Sequence, residues 1–500
     1  MIATIVVVFV LTILGYIINT TSKPKNFPPG TWNGHIYTYK TSGPIWYPFF
    51  GSSAVVQKAT IQNGSQWKAF SQLAKKYSTQ VLGLKLGSEL VVVVFGEKNV
   101  RQIFTEKEFE GRPNSFFIRL RCLGRRLGIT FVDGPIWREH RQFTVKHLKN
   151  VGFGKTAMES EIQNELANVL QYIDKNKSTA INPKLILAMS VMNILWKFTA
   201  GERIKEERLK YIIDLFAKRS KAFSIAGGWL NQWPLIRFIM PDLSGYNLIK
   251  NLNIQISDII EEAVLKHKNG TIEGSDFIYK FLEEMKENKS SGYFHEAQLK
   301  SICLDILIAG SQTTSNVVEF AILCLVRHPA LQEKVFEEIQ RVIGENTPNW
   351  TDSNRLTYTI AFLQEVQRFY TIVPLAGPRR VLEETTVEDY VIPKNTTVLI
   401  GVGDIHFDPQ FWDEPNKFKP ERFLDSNGNL VSTEHFYPFG MGRRRCPGDS
   451  LAKSFIFIVF VGIVQKYRVQ CGNGVLPPEK PVIGLISGAQ PFTAEFIQRS

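Results

Sequence analysis

Cysteine is scarce. The five in this 500-residue chain (Cys122, Cys303, Cys324, Cys446 and Cys471) are odd in number, widely scattered and never in C-x-x-C spacing. That argues against a disulfide framework or a zinc cluster and suits a reducing compartment. The chain also lacks internal repeats, Gly/Ser-rich stretches and charge blocks of the disordered type, which excludes solenoids and low-complexity scaffolds. Acidic residues fall short of basic ones, 47 against 59, leaving a formal charge of +12. Such an excess suits an acidic partner, an anionic membrane surface or nucleic acid, yet no nucleic-acid-binding motif accompanies it. What the chain has in quantity is apolar material: hydrophobic residues make up 44% of it, enough for a large buried core.

Charge is missing altogether from Met1–Ser22, whose centre, Ile2–Ile18, is nearly all apolar. That length lies at the low end of the ~17–25 residues that cross a bilayer, and Lys23 and Lys25 follow at once, which favours a cytosolic location for the rest. Residues 1–22 therefore read as a single retained N-terminal transmembrane anchor. A cleaved secretory leader is the competing reading and fits poorly with odd, unclustered cysteines. Residues 23–30, Lys23-Pro-Lys-Asn-Phe-Pro-Pro-Gly30, should be a stiff, extended hinge, because proline fixes φ and removes amide donors. No second linker follows, so residues 31–500 read as one domain.

The pattern predicts a mainly α domain with a minor β region. Apolar residues recur at three- and four-residue spacing over Glu159–Ile173, Glu202–Phe223, Leu248–Asn269, Gln298–His328 and Pro329–Ile343. Short β-rich runs, Val81–Leu86, Glu89–Phe95 and Thr396–Ile400, are bounded by Gly, Asn or Pro and predict strands.

Phe439-Gly-Met-Gly-Arg-Arg-Arg-Cys-Pro-Gly448 sets one cysteine among three glycines and three arginines, just before the apolar run Leu451–Val464. Glycines let backbone amides turn toward a ligand sulfur, and those donors tune a metal-bound thiolate. Arginines can clamp carboxylates. By physics alone such a loop is more often an anion-binding turn or a surface loop. However, Phe439-x-x-Gly442-x-Arg444-x-Cys446-x-Gly448 resembles the haem-binding loop of the cytochrome P-450 superfamily, with every defining position filled. The resemblance implies the cytochrome P-450 fold, with haem b held by Cys446 as its axial thiolate, whose electron donation favours cleavage of the O–O bond of dioxygen. It also implies that Arg444 pairs with a haem propionate and that Phe439 packs beside the thiolate loop.

Other segments resemble the same family in the expected order. Glu365-Val-Gln-Arg368 places an acid and a base on one helix face, ordinarily a surface ion pair worth ~0.2–0.5 kcal/mol. In family terms it joins Arg422 of Pro420-Glu-Arg-Phe423 in a buried structural network. Trp137 and Arg141, at i and i+4, are placed over one propionate, and Arg379 is a further propionate-binding residue with Arg380 as its rival. The run Ala309-Gly-Ser-Gln-Thr-Thr-Ser315 carries poor helix formers in a helix interior. A packing helix is the bland reading. The resemblance makes this stretch an opened turn over the oxygen site, where small Ala309 and Gly310 permit close approach and Thr313 helps deliver protons.

At one position the family's acid is replaced by Gln312, which orients water but cannot ionise. This admits haem-thiolate isomerases, dehydratases or aldoxime-forming enzymes as alternatives to a monooxygenase, and a haem-binding sensor without turnover as a third reading. Thr313 weighs for the monooxygenase, which would draw electrons from NADPH and insert one atom of dioxygen into a lipophilic molecule by hydroxylation or epoxidation.

Phe116, Phe117, Ile118, Ile372, Val373, Leu375 and the turn at Leu485 match the family's substrate-contacting segments, and their apolar character suits a hydrocarbon or aromatic substrate. The stretch Phe223–Tyr246, with Trp229, Leu230, Trp233, Leu235, Ile236, Phe238 and Ile239, would dip into lipid at the substrate entrance. Basic stretches Arg138–Lys149 and Arg443–Lys453 each carry a net +3, which suits docking of an acidic NADPH–cytochrome P-450 reductase, with cytochrome b5 as a second donor. Anchor and hinge resemble the microsomal, animal-type branch on the endoplasmic reticulum membrane. The Ala309–Ser315 wording resembles insect members that act on terpenoid hormones.

Overall fold

The computed structural model describes residues 24–28, 43–47, 50–150, 156–176, 179–222, 230, 233–272, 274–287 and 292–499. The anchor at 1–22, the ends of the hinge and Trp229 lie outside the described residues.

The molecule is organised around one long helix, Glu296–Arg327. At 32 residues it runs about 48 Å. It packs against Pro183–Ala200, Asp449–Lys466, Tyr246–Lys268 and Thr357–Tyr370. Among the described residues it is the one helix long and apolar enough to cross a membrane, and its extensive burial marks it as the core helix instead. Expected helices recur with shifted ends: Thr156–Lys175, Glu206–Ala222, Tyr246–Lys268 and Pro329–Val342. Pro183–Ala200 was not expected. Its side chains from Ser190 to Leu195 are buried in succession, so it carries no polar stripe from which a helical period could be read. Proline at its first turn and Asn182, whose side chain accepts the Lys184 amide, fix its start.

The β region is small. A four-stranded sheet has the order Val81–Leu86, Glu89–Val94, Thr397–Gly401 and Leu375–Arg380. The first pair is a hairpin, Glu89–Val94 runs parallel to Thr397–Gly401, and Leu375–Arg380 is antiparallel to the latter with an irregularity between Ala376 and Arg379. Leu375–Arg380 contains Gly377-Pro378, which hid it as a strand. Proline lacks a ladder donor and is tolerated at such irregularities.

Candidate functional site

The segment that carries Cys446 is a tight loop ending at Gly448, the residue that precedes the helix Asp449–Lys466. The Cys446 amide donates to the carbonyl of Phe439 at 3.0 Å, folding the loop back on itself. Gly442 sits at φ 71°, where a Cβ would overlap the carbonyl of Phe104, so this turn requires glycine. Burial, with Asp449 adding to it, holds the Cys446 thiol above its ordinary range against the opposing pull of the Gly448 amide and the guanidiniums of Arg141 and Arg445. Amides and cations at a helix start are the environment that stabilises a thiolate.

Beside the loop the sequence gathers cations. Arg444 donates from Nε and Nη2 to the carbonyl of Glu110 (3.1 and 2.8 Å) and from Nη2 to that of Val132 at 2.9 Å. Its Nη1 is buried without a hydrogen-bond partner. The guanidinium lies 3.5 Å from the centroid of the Trp137 ring. Arg141, from the same helix Gly134–Asn150, donates to the carbonyl of Arg445 at 2.6 Å. Trp137 and Arg141 thus engage the cysteine loop directly. Phe439 lies under the Lys453 ammonium, 5.4 Å from the ring centroid.

Arg112 was not singled out from the sequence, because an isolated arginine between glycine and proline carries no period or motif. The bridge between Gly111 and Arg380 brings it to the sheet edge, where its Nη1 donates to the carbonyls of Gly377 (3.1 Å) and Pro378 (2.5 Å). The strand also divides the neighbouring pair. Arg379 is buried and close to Arg444 and Arg112, whereas Arg380 binds Asp133 at 2.8 Å. Arg126 and the amide of Arg112 hold the same carboxylate at 2.6 and 2.8 Å.

Burial and mutual repulsion act on this cluster together. Burial first, then Arg112 and Arg379, pull the Arg444 guanidinium down to about 8. Burial and Arg112 bring Arg379 to about 9, and burial and Arg141 bring Arg112 to about 10. Guanidiniums stay protonated at such values near neutrality, so the pull measures a buried excess of positive charge. Asp133 is committed to Arg126 and Arg380. The donor set therefore fits a group that brings two carboxylates beside a thiolate, each able to accept a guanidinium fork.

The long helix forms another wall. Ala309 is exposed and Gln312 and Thr313 are partly so, on a helix otherwise mostly buried. The opened turn expected there is absent: the helix is continuous, and the Thr313 hydroxyl donates to the Ala309 carbonyl at 2.8 Å. Back-bonding of this kind satisfies the hydroxyl without breaking the helix. Gly310 also differs from expectation. A Cβ there would come within 2.7 Å of Leu195 Cδ1, so its smallness serves the contact with Pro183–Ala200.

Two further polar residues of the long helix hold the segment that follows Arg121. Asp305 accepts from Arg121 Nη1 at 2.7 Å and from the amides of Ile129 and Thr130 at 2.7 and 2.9 Å. Gln298 exchanges two hydrogen bonds with the backbone of Gly128, at 3.0 and 3.1 Å.

The expected substrate segments fall into two groups. Ile372 and Val373 are partly buried and Leu375 is buried; the Ser487 amide donates to the Ile372 carbonyl at 2.8 Å, and Asn316 of the long helix donates to the Ser487 carbonyl at 2.8 Å. Leu485 is 41% exposed at the tip of that turn. Phe117 is buried with Leu120, Leu230 and Ile249, with Phe116 packed alongside, while Ile118 is partly buried outside that cluster. Trp233, Leu235, Phe238, Ile239 and Leu243 are exposed, between 42% and 81%.

Glu365, Arg368 and Arg422 lie behind this region. Arg368 grips Glu365 with two hydrogen bonds, at 2.7 and 2.8 Å, and Arg422 Nε reaches the same carboxylate at 3.2 Å. Glu365 and Arg368 are fully buried.

Comparison with known proteins agrees with this geometry. The family model described as Cytochrome P450 matches residues 41–496. The chain is 39% identical over 499 residues to probable cytochrome P450 305a1 of Drosophila melanogaster, covering 97% of this chain and 96% of that one. It is 34% identical to the farnesoate epoxidase of Bombyx mori, over 87% and 88% of the two chains. Cytochrome P450 2J3 of Rattus norvegicus is 32% identical, over 89% and 86%. A partly buried cysteine just before a helix start, beside a cluster of arginines in which Arg444 Nη1 is left unpaired, in a chain matched over nearly its whole length, belongs to a member of the cytochrome P450 family, a monooxygenase oxidoreductase.

Proposed function

We propose that this protein is a membrane-anchored monooxygenase that inserts one atom of dioxygen into a lipophilic terpenoid, with electrons passed from NADPH by a reductase docked on the basic face around Arg138–Lys149 and Arg443–Lys453. The observation that carries the cofactor is the cluster of Arg112, Arg141, Arg379 and Arg444 beside Cys446, with Arg444 Nη1 buried and unpaired. Haem bound there supplies the one-electron and dioxygen chemistry. Cys446 is its thiolate ligand, the four guanidiniums hold its carboxylates, and Trp137 stacks on Arg444 so that the guanidinium keeps one orientation. Thr313 presents Oγ1 on the accessible turn of the long helix, and its hydroxyl delivers a proton by turning away from the Ala309 carbonyl, while Gln312 orients water beside it.

The substrate class rests on three supports. The segments at Phe116–Ile118, Ile372–Leu375 and Leu485 are apolar. The exposed Trp233, Leu235, Phe238, Ile239 and Leu243 suit an entrance at a lipid surface. The silkworm relative is named as a farnesoate epoxidase. Location on the endoplasmic reticulum membrane, with residues 1–22 as anchor and 31–500 as catalytic domain, follows from the uncharged N-terminal run.

A second reading draws on Gln312: a haem-thiolate enzyme that rearranges or dehydrates an oxygenated substrate has no need of an ionisable acid there. Full-length protein loaded with haem, in vesicles with reductase, separates the two. The monooxygenase consumes NADPH and dioxygen when given a sesquiterpenoid and places heavy oxygen from labelled dioxygen in the product. Product formed without NADPH overturns it in favour of rearrangement.

A further inference from the structure

Glu319 is a buried acid with no part in the reading above. It lies on the long helix at 1% exposure, with Oε2 buried and lacking a hydrogen-bond partner. The charge that acts on it is Lys184, at the start of Pro183–Ala200, whose Nζ is 3.6 Å away. That is an ion pair too long for a hydrogen bond. The lysine side chain is 52% exposed, so the pair reaches from solvent to the helix interior.

The same pair adjoins the turn at Ser487–Gly488. Lys184 Nζ and Asn316 Nδ2 come within 3.8 and 3.4 Å of the position a Cβ on Gly488 would take, and Asn316 holds the carbonyl of Ser487 in that turn. Gln312, Asn316 and Glu319 are spaced i, i+4 and i+7, which aligns them along one stripe of the helix. Thr313 is six residues from Glu319, about 9 Å along the axis and about a third of a turn around it, so the stripe reaches Thr313 through its neighbour Gln312.

We propose that Glu319 supplies protons to the Thr313 turn, taking the role for which Gln312 has no ionisable group, and is refilled from solvent beside Lys184. In each transfer the Glu319 O–H bond breaks, its proton passes along water held by the Asn316 and Gln312 amides to Thr313 Oγ1, and the threonine releases its own hydroxyl proton to the reacting side in the same step, so that it ends neutral. The carboxylate regains a proton from bulk solvent by way of a water in the 3.6 Å gap to the half-exposed Lys184, whose ammonium orients that water and stays protonated throughout. One proton crosses and no electron moves. Burial raises the Glu319 carboxyl to about 7 against the opposing pull of Lys184, which suits a group that must both give and regain a proton near neutrality.

This role rests on the monooxygenase reading, and its test separates the two. Haem-loaded, full-length Glu319→Gln keeps the side chain's shape. In the resting protein, the infrared carbonyl stretch of a neutral carboxylic acid should titrate near neutral pH in wild type and be missing from the variant. In turnover with reductase and a sesquiterpenoid, the variant's product per NADPH should fall about tenfold, with electrons lost as peroxide and substrate binding unchanged. Adding Gln312→Glu to it should restore coupling. Unchanged coupling in Glu319→Gln, or a coupling loss that comes with lost substrate binding and no rescue by Gln312→Glu, overturns the role and leaves Glu319 a structural clasp. Wild-type protein that forms no dioxygen-dependent product overturns the monooxygenase reading, and this role with it.

Discussion

The Arg444 guanidinium lies 3.5 Å from the centre of the Trp137 ring, a stacked pair that joins the cysteine loop to the helix Gly134–Asn150. Exposed cation–π contacts are worth about 0.5–1 kcal/mol and desolvated ones about 2. Trp137 is 5% exposed, which places this pair at the upper end. Trp137→Ala should strip one face of the Arg444 guanidinium, leaving only the Glu110 and Val132 carbonyls to orient it, and lower the haem-to-protein ratio after purification several-fold, whereas Trp137→Phe should retain most of it. Equal haem content in Trp137→Ala and wild type would count against the stack.

Cys446→Ser should abolish the red-shifted carbon monoxide band of the reduced protein, because a serine oxygen gives far less charge to iron than a thiolate. Changing Cys303 or Cys324 should leave the band intact. Both are buried, and burial lifts their thiols far above neutrality, so neither competes as a ligand. A band that survives Cys446→Ser would remove Cys446 from the site.

The fully buried Glu365–Arg368 pair makes a structural prediction. Glu365→Ala leaves two guanidiniums without their carboxylate, and breaking a buried pair costs about 3–5 kcal/mol. That is a large share of the roughly 5–15 kcal/mol that holds a typical domain folded. The variant should accumulate as aggregated or haem-free protein. A soluble, haem-loaded Glu365→Ala with an unchanged urea midpoint would show that the network carries no such load.

Thr313→Ala removes the hydroxyl now bound to Ala309. Electrons should still flow and leave as hydrogen peroxide, lowering product per NADPH, while Gln312→Glu alone should turn over at an equal or higher rate. Coupling untouched by Thr313→Ala would sink the assignment of that hydroxyl.

Glu319 also has a signature in stability. Its carboxyl is raised from 4.5 to about 7, by burial against Lys184. Between those values the folded protein holds a proton that the unfolded chain has released, so stability falls as pH rises through that window and is level above it. Urea midpoints taken at about pH 5 and about pH 8 should therefore diverge, with Glu319→Gln gaining on wild type at the higher pH. A constant difference between the two proteins at both pH values would contradict the shift.

The sequence made legible whatever is contiguous. Cys446 with its glycines, and Glu365 with Arg368, each fall within a few residues, so the local pattern carries the chemistry. Arg112 was invisible because its neighbours come from distant segments, Arg379 on a strand whose Gly-Pro interruption masked it and Arg444 on the cysteine loop. Glu319 was passed over for a related reason: an acid in an apolar helix stripe reads as a surface position until Lys184 is seen to arrive from another helix. Gly310 was read as clearance for a ligand, and only the position of Leu195 reveals it as a helix-packing contact. Pro183–Ala200 escaped notice because the periodic signal needs a polar face for contrast.

The grip of Asp305 and Gln298 on the backbone at Gly128, Ile129 and Thr130 has a kinetic consequence. Those contacts, with the Arg121 pair, all spring from two side chains a little less than two turns apart on one rigid helix, so they share a frame and cannot be released singly without leaving buried donors unmatched. A stretch held in this way moves as one cooperative unit. If passage of a bulky molecule to the interior requires this stretch to lift, its entry and exit should share a single slow opening step, and loosening either side chain should speed both directions together without altering the affinity of the closed form.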